Sequence, residues 1–191
     1  LEVALFDEAA MTTLNKAAGM AYDLQVASGL VTDASKFSSN AKEPSEGTFG
    51  ALIDGEYTSY FHSAYSVSVD GAHYLQAEVN EPVKDFFFYF KKRSHNNNNR
   101  PTDITVLGSN DGQEFKEITT INTGFPTDAA DLDYASAVIN ASEAYKHFRF
   151  VVNQTNSSSV FFTFSEFYLL PADKVEALAA AQALVAAGPQ L

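Results

Sequence analysis

The sequence predicts an all-β fold, a sandwich or jelly roll built from antiparallel strands. Its 191 residues include 16 Phe and 9 Tyr, and these aromatic side chains favour pleated, half-buried strands. Short apolar or alternating segments recur at intervals of roughly 8–12 residues, separated by turn sequences. This spacing is typical of a β-sandwich rather than of βαβ units, in which helices separate the strands.

Seven segments are predicted as strands. The segment KDFFFYFK is apolar on both faces, which is typical of a central strand, whereas YLQAEV alternates between apolar and polar side chains. The asparagine-rich segment Ser94–Arg100 is predicted as a surface loop. The predicted strands are Tyr74–Val79, Lys84–Lys91, Asp103–Ser109, Phe115–Ile121, Tyr134–Ile139, His147–Val152 and Val160–Leu170.

Both ends of the chain are predicted to be helical. Residues 2–23 carry apolar side chains at three- and four-residue spacing. Near the other end, Asp173 and Glu176 have the spacing of a capping box, and Gly188-Pro189 is expected to end the helix. Such helices either dock against neighbouring domains or pack on the sandwich and on each other. The predicted division is an N-terminal helical linker over 1–27, a β-sandwich over 28–171 and a C-terminal helical linker over 172–191.

Composition and charge exclude several classes of function. The net charge of −12 disfavours nucleic acid and anionic lipid surfaces as partners, because both are negatively charged. The absence of cysteine excludes a disulfide scaffold, and no apolar run approaches the ~20 residues needed for membrane insertion. The chain has no initiator Met and no signal-like start, so it is predicted to be part of a longer polypeptide. No GxSxG, HExxH or phosphate-binding glycine loop occurs, and the domain is therefore predicted not to be an enzyme.

The stretch Ala51–Tyr65, ALIDGEYTSYFHSAY, is predicted to be a recognition loop. It combines an Asp54-Gly55 turn with hydroxyl groups, aromatic rings and a histidine. A series of short motifs continues from it in the order IDG-xxxS-YFHS, HYLQAEV, an aromatic strand ending at Arg93, PTDITVLGSNDGQEF, HFRFVV and FSEFYLL. In this order the motifs resemble the discoidin, or coagulation factor 5/8 type C, domain, and in particular the family 32 type carbohydrate-binding modules of bacterial surface and secreted proteins.

The resemblance covers about residues 28–170 and implies a galactose-binding-like β-sandwich with jelly-roll topology. It also implies a structural Ca²⁺ held by Asp54, Ser59, the carbonyls around Ala51 and Glu56, and Glu166. Ca²⁺ takes six to eight oxygen ligands, including carbonyls and hydroxyls, so this set of residues is chemically suitable.

A second implied site binds a sugar. In the family, a histidine followed three residues later by an aromatic residue, with an arginine from a neighbouring loop, grips a terminal sugar. Aromatic rings stack on the apolar face of a sugar, and Arg, His and Asn side chains bond its hydroxyls. The residues expected to contact the sugar are His62, Tyr65, Arg93, Asn97, Asn99 and Phe161.

Four of these residues also have a purely structural explanation. Asp54 could cap its own turn, and Glu166 could pair with a cation such as Arg149. His62 could hydrogen-bond a loop carbonyl, and Arg93 could form a salt bridge with an acidic neighbour. The family also has Trp in this loop where the present chain has smaller rings, so the resemblance leaves the identity of the sugar open.

The predicted function is that of a non-catalytic carbohydrate-binding module for galactose- or amino-sugar-type glycans. The expected partners are a glycan and the adjoining domains of a larger exported bacterial protein, which is predicted to be extracellular, on the cell surface or periplasmic. An adjoining glycoside hydrolase or other glycan-active enzyme is compatible with this prediction. The alternative is a structural or protein-interaction domain that shares the fold and binds no sugar.

Overall fold

A computed structural model describes residues 29–93, 99–125, 127, 133–157 and 159–187. These residues form the predicted all-β sandwich, with antiparallel pairing throughout. The main sheet has the order β1-β3-β7-β4-β5, with β6 and β9 also paired to β3, and the second sheet consists of β2 and β8. The strands are β1 Phe37–Ser38, β2 Phe61–His62, β3 Tyr74–Lys91, β4 Pro101–Ser109, β5 Lys116–Ile121, β6 Asp133–Ala135, β7 Ile139–Thr155, β8 Thr163–Phe164 and β9 Glu166–Pro171.

The strand β3 lies at the centre of the main sheet. It pairs with β7 along one edge and with β9 along the other, and all five residues from Phe86 to Phe90 are buried. The prediction of a central strand is therefore confirmed. The prediction of two separate strands is wrong, because the chain continues through the exposed residues 80–82 and shifts its register against β7 between Glu78 and Val83.

The other strand predictions also differ from the structure in their bounds, and two of them differ most. The predicted strand His147–Val152 is part of the much longer β7, which begins at Ile139. Ile139 was expected to be the last residue of the preceding predicted strand. The segment Val160–Leu170 divides at Ser165 into β8 and β9. At this point the Ser165 N–H donates to the carbonyl of Lys91, and its hydroxyl donates to the carbonyl of Tyr57, 108 residues away. The main-chain bond of Ser165 is still made to β3, whereas its side chain bonds a loop.

The core lies between the two sheets and is dominated by phenylalanine. Phe61 of β2 and Phe164 of β8 pack from the smaller sheet against rings of the larger one, such as Phe90, whose ring centroid is 4.7 Å from that of Phe164. Apolar burial of this kind contributes roughly 25 cal/mol per Å². The core therefore anchors β2, the strand that carries His62.

A second apolar cluster covers the opposite face of β3 and β9. It contains Phe87, Tyr89, Tyr168 and Leu170, and Leu178 of helix α1 closes it with an exposure of 2%. Helix α1 spans Val175–Ala187 and follows three short 3₁₀ helices, Ala34–Lys36, Gly50–Leu52 and Ala172–Lys174. The described part of the C-terminal helix thus packs on the sandwich. The predicted N-terminal helix and the predicted helix end at Gly188-Pro189 lie outside the described residues. Across the part of the chain that is described, no helix is long and apolar enough to span a membrane.

Candidate functional site

The irregular segment 41–48 runs antiparallel to residues 60–64, which include strand β2. The N–H of Glu43 donates to the carbonyl of His62 (3.0 Å), and the N–H of Thr48 donates to that of Tyr60 (3.2 Å). The N–H of Ala64 donates back to the carbonyl of Ala41 (2.7 Å). This main-chain pairing brings side chains from both segments together at one surface.

Gly47 permits this close pairing. Its φ of +74° is in the left-handed region, and a Cβ at this position would lie 2.7 Å from the backbone nitrogen of His62. Gly71 has a similar φ of +81°, but no atom lies within 4 Å of its hypothetical Cβ. Alanine substitutions at the two positions therefore distinguish the cost of backbone strain from the cost of a steric clash.

We expect Gly47→Ala to destabilise the protein more than Gly71→Ala. The left-handed conformation costs an L-residue about 1–2 kcal/mol at either position. Only at Gly47 does the added methyl group collide with backbone, which costs about 1–3 kcal/mol more. Urea unfolding of both variants measures the difference. Equal losses of stability would contradict the proposed packing of Gly47 against His62.

Three of the aromatic side chains that were predicted to contact a sugar lie close together in this region. The ring centroid of His62 lies 4.9 Å from that of Tyr65 and 6.0 Å from that of Phe161, and the Tyr65 and Phe161 rings are 6.1 Å apart. Tyr65 is 49% exposed, whereas His62 is only 3% exposed. Tyr65 and Phe161 therefore offer ring surface, and His62 lies beneath them.

The hydrogen bonding of His62 determines which of its nitrogens is protonated. Its Nδ1 lies 2.6 Å from the carbonyl of Ser63, and because a carbonyl only accepts, Nδ1 carries the proton in the neutral ring. The lone pair is then on Nε2. Burial lowers the pKa of His62 below its usual value, although the Ser63 carbonyl and the Glu46 carboxylate oppose this effect. His62 is thus a neutral hydrogen-bond acceptor at pH 7.

Glu46 is a member of the site that the sequence did not indicate. Its Oε2 accepts a hydrogen bond from the Tyr60 hydroxyl (2.5 Å), and its Oε1 lies 3.9 Å from Nε2 of His62. The Tyr60 hydrogen bond, together with the nearby Tyr65 hydroxyl, His62 and Arg93, lowers the pKa of Glu46. The site therefore contains an ionised carboxylate.

Arg93 completes the group by stacking on an aromatic ring. Its guanidinium carbon lies 3.8 Å from the ring centroid of Tyr60. Within the described ranges, Arg93 has no carboxylate within 4.0 Å, so the alternative of a salt bridge is not observed there. A guanidinium stacked in this way keeps its N–H groups in a fixed plane.

The two predicted asparagines are placed differently. Asn97 lies outside the described residues. Asn99 is buried, and its side-chain oxygen accepts hydrogen bonds from the hydroxyls of Ser157 (2.8 Å) and Ser159 (3.2 Å). Its carbonyl accepts from the N–H of Thr163. In this structure the amide oxygen of Asn99 thus holds a turn of the protein itself.

The predicted cation ligands of the Asp54 turn lie close together. The hydroxyl of Ser59 is 2.8 Å from Oδ2 of Asp54 and 2.9 Å from the carbonyl oxygen of Glu56. Oδ1 of Asp54 accepts from the N–H of Glu56 (2.8 Å), so the alternative that Asp54 caps its own turn is observed as well. Ala51 is buried one turn earlier, in the 3₁₀ helix that leads into this loop.

Glu166 lies beside this turn and is 3% exposed. Its Oε2 accepts from the hydroxyl of Tyr168, but its Oε1 has no hydrogen-bond partner among the described residues. Burial raises the pKa of Glu166 to about 7, and the Asp54 carboxylate contributes in the same direction. The hydroxyl of Tyr168, the charge of Lys91 and the backbone N–H of Gly55 oppose the shift.

The alternative partner for Glu166, Arg149, is engaged elsewhere. Its guanidinium lies between the rings of Tyr74 (4.3 Å) and Phe115 (3.7 Å), and its Nε donates to Gln76. No group of three or more His, Cys, Asp or Glu side chains suited to a metal occurs among the residues that the structure describes. A cation at the Asp54 turn would therefore depend on hydroxyl and carbonyl oxygens as well as on the two carboxylates.

Comparison with known proteins identifies the family and the fold. The family model of the F5/8 type C domain matches residues 34–167. No curated protein matches the sequence. Solved structures of family 32 carbohydrate-binding modules share the fold, which confirms both the resemblance found in the motifs and the predicted galactose-binding-like sandwich.

Three of the similar solved structures come from two bacterial genera. The module CBM32-5 of CpGH89 from Clostridium perfringens, in complex with GalNAc-β-1,3-galactose, is 20% identical, with a TM-score of 0.58 over 71% of this chain and 94% of that one. The family 32 module of NanJ from C. perfringens, in complex with galactose, is 14% identical, with a TM-score of 0.55 over 71% and 94%. The C-terminal domain of a chitobiase from Bacteroides fragilis is 18% identical, with a TM-score of 0.56 over 72% and 95%.

Proposed function

The chain belongs to the F5/8 type C domain family, and on this premise we propose that it is a non-catalytic carbohydrate-binding module. The observation that carries the proposal is the cluster of rings and polar groups around His62 of strand β2. Tyr65 and Phe161 supply apolar ring surface, and Arg93, Glu46 and His62 supply hydrogen-bonding groups around it. This combination suits a sugar, which has an apolar C–H face and a rim of hydroxyls.

The polarity of these groups favours a neutral ligand rich in hydroxyls or an amino sugar. Nε2 of the neutral His62 and Oε1 of the ionised Glu46 lie 3.9 Å apart. Both atoms accept hydrogen bonds, so the donors must come from the ligand. Arg93 presents donors to a hydroxyl oxygen. A carboxylate at the site disfavours acidic sugars by charge repulsion. Galactose- and N-acetylgalactosamine-type glycans satisfy this pattern, and two of the similar solved structures hold such sugars.

A glycan array followed by calorimetric titration tests this proposal. We expect binding to galactose- or N-acetylgalactosamine-terminated glycans and a measurable heat of binding with the corresponding monosaccharide. The same titration with an acidic monosaccharide serves as a control and is expected to give no binding. Absence of binding to every glycan on the array would contradict the proposed function.

We also expect the affinity for galactose to fall in acid. Protonation of His62 removes the Nε2 acceptor and attracts the imidazolium to Glu46. Because the pKa of His62 lies below its usual value of about 6.5, the affinity should be constant from pH 8 to about pH 6.5 and should fall only in more acidic solution. The pKa of Glu46 is lowered, so this residue stays ionised over most of that range. A fall in affinity that is already complete at pH 6.5 would argue against His62 as the titrating group.

A structural Ca²⁺ is part of the same proposal. Oε1 of Glu166, which has no hydrogen-bond partner among the described residues, and the oxygens around Ser59 fit such an ion, because Ca²⁺ satisfies buried carboxylate, hydroxyl and carbonyl oxygens together. Asp54, Ser59 and Glu166 would hold it by their side chains, with main-chain oxygens of Ala51 and Glu56. The ion would neutralise two neighbouring carboxylates and tie the Asp54 turn to β9.

We further propose that the domain works as part of a larger exported bacterial protein, outside the cytoplasm. It would hold an adjoining domain, such as a glycan-active enzyme, on its glycan. The support is the origin of the similar solved structures, which come from Clostridium and Bacteroides proteins and include the C-terminal domain of a chitobiase. Fractionation of the native host, with an antibody against the domain, is expected to find it in the medium, periplasm or surface fraction.

The burial of His62 favours a second candidate, a structural or protein-interaction domain without sugar binding. A side chain that is 3% exposed and bonded to Ser63 also fits a purely structural role. This candidate predicts that His62→Gln lowers the melting temperature and that the wild type gives no heat of binding with any sugar on the array. The proposed module instead predicts that the variant loses sugar affinity.

A further inference from the structure

Glu43 is a buried carboxylate that bonds two separate loops. The side chain has an exposure of 0%. Its Oε2 accepts from the N–H groups of Tyr65 (3.0 Å) and Ser66 (3.0 Å). Its Oε1 accepts from the hydroxyl of Ser66 (2.6 Å) and from both the hydroxyl (2.8 Å) and the N–H (3.3 Å) of Ser45. Five hydrogen bonds thus converge on one carboxylate.

The two loops bonded by Glu43 carry opposite sides of the sugar site. Ser45 immediately precedes Glu46, which faces His62 across 3.9 Å. Tyr65 supplies the exposed ring, 4.9 Å from the ring of His62. Glu43 itself is anchored to the same strand end, because its N–H donates to the carbonyl of His62. A single side chain therefore connects the loop of the acidic acceptor to the loop of the aromatic platform.

The hydrogen-bond donors around Glu43 stabilise the ionised form of its carboxylate. Burial alone would raise the pKa of Glu43, but the hydrogen bonds from Ser66, Tyr65 and Ser45 outweigh burial and lower it well below the usual range. Charge-assisted hydrogen bonds of this kind are about twice as strong as neutral ones. Without the carboxylate, the two N–H groups of residues 65 and 66 would have to find new partners, and the loop would be free to move.

We propose that Glu43 is a positioning residue of the sugar site, which holds the Tyr65 ring and the Glu46 carboxylate in the arrangement that accepts the ligand. This inference rests on the proposed sugar-binding function. Glu43 does not touch the ligand and acts through the loops that it joins. Its role is pre-organisation: a loop that is already ordered pays less conformational entropy when a sugar binds.

The test uses Glu43→Gln, which keeps the size of the side chain but places an amide donor among the donors of residues 45, 65 and 66. We expect galactose or N-acetylgalactosamine to bind this variant about tenfold more weakly than the wild type in calorimetric titration. Ser66→Ala removes a single donor and leaves the carboxylate in place, so it should fold in any case and bind about threefold more weakly. Val152→Ala, a core variant, is the control for general destabilisation.

The Val152→Ala control distinguishes a loss of loop positioning from a general loss of stability. Val152→Ala should lower the melting temperature and leave the affinity for the sugar unchanged. If Val152→Ala and Glu43→Gln weaken binding equally, or if Glu43→Gln and Ser66→Ala bind as tightly as the wild type, the positioning role is overturned. If Glu43→Gln does not fold, the affinity of Ser66→Ala decides.

A direct readout of the loop distinguishes failure of this inference from failure of the proposed function. Amide hydrogen exchange, followed by NMR, reports the N–H groups of Tyr65 and Ser66 individually. We expect exchange at both amides to accelerate about tenfold or more in Glu43→Gln and to stay unchanged in Val152→Ala. If the wild type binds no sugar, the proposed function fails, and unchanged exchange at the two amides would overturn the role of Glu43 separately.

Discussion

Glu166→Gln is expected to abolish stabilisation by Ca²⁺ and, in the presence of a chelator at pH 8, to be more stable than the wild type. The two effects have one cause. Without a cation, the wild-type protein buries an ionised carboxylate whose Oε1 has no hydrogen-bond partner in the described structure and which lies near the charge of Asp54. Glutamine is neutral and can still accept a hydrogen bond from Tyr168, but it offers Ca²⁺ no charge.

The direction of the pH effect follows from the raised pKa of Glu166. In the folded protein this pKa is about 7, whereas in the unfolded chain it returns to an ordinary value near 4.5. Between these values the folded state binds more protons, so the stability that Glu166 contributes in acid is lost as the pH rises through that window. The loss in the cation-free protein amounts to about 3 kcal/mol at pH 8, and Glu166→Gln should recover about 1–3 kcal/mol of it.

Thermal unfolding at pH 5 and pH 8, with chelator or with Ca²⁺, measures how pH and the cation change the stability of the protein. Wild type should gain stability from Ca²⁺, by about 2.7 kcal/mol at a hundredfold excess over Kd, and should gain more at pH 8 than at pH 5, where a proton competes for Glu166. Glu143→Gln is the matched control. It removes an exposed carboxylate that pairs with Lys116, and it should leave the Ca²⁺ response intact. An equal Ca²⁺ response in wild type and Glu166→Gln would exclude Glu166 as a ligand.

The strands were predictable wherever a local apolar pattern determines them. Within the run KDFFFYFK the five aromatic residues are buried on both faces, and this pattern correctly indicated a central strand. Local patterns failed where tertiary contacts decide. The exposed residues 80–82 of β3 interrupt the alternation, although hydrogen bonding to neighbouring strands continues on both sides of them. Ser165 breaks an apolar segment because it bonds the carbonyls of Lys91 and Tyr57, which no local pattern reveals.

The candidate sites were predictable to a similar extent. The motif YFHSAY indicated His62 and Tyr65, and the structure brings both next to Phe161. Glu43 and Glu46 lie in an irregular segment with no periodicity, and only its antiparallel pairing with residues 60–64 brings them to the site. In the sequence of an acidic chain, such a glutamate cannot be distinguished from the many carboxylates that lie on the surface. Its role depends on a long-range pairing that the local sequence does not encode.

The stretch Ala51–Tyr65 has two separate tasks in the structure. Its first part forms the Asp54 turn, which the hydroxyl of Ser165 links to the start of β9 through the carbonyl of Tyr57. Its second part forms β2 and the loop of Tyr65, held by Glu43. Because each part has its own partners, loss of a cation at the first is expected to lower stability without removing the contacts that hold the second.

Arg93→Ala is expected to weaken galactose binding by about 10- to 100-fold and to change the melting temperature little. A hydrogen bond from a charged group contributes about 1.5–3 kcal/mol, and each 1.4 kcal/mol is a factor of ten in affinity. The cost to stability is small because Arg93 has no ion pair within the described residues and stacks on Tyr60 from one side only. Arg93→Lys keeps the charge but loses the planar fork, so its affinity should be intermediate.

Arg149→Ala is the matched control for this measurement. Arg149 stacks on two aromatic rings, Tyr74 and Phe115, and its variant loses the same kind of contact on the face of the main sheet. It should lower the melting temperature at least as much as Arg93→Ala and leave the affinity for galactose unchanged. If the two variants bind galactose equally well, the sugar does not depend on Arg93. The ring cluster around Tyr65 would then lack its cationic donor and would not suffice as the binding site.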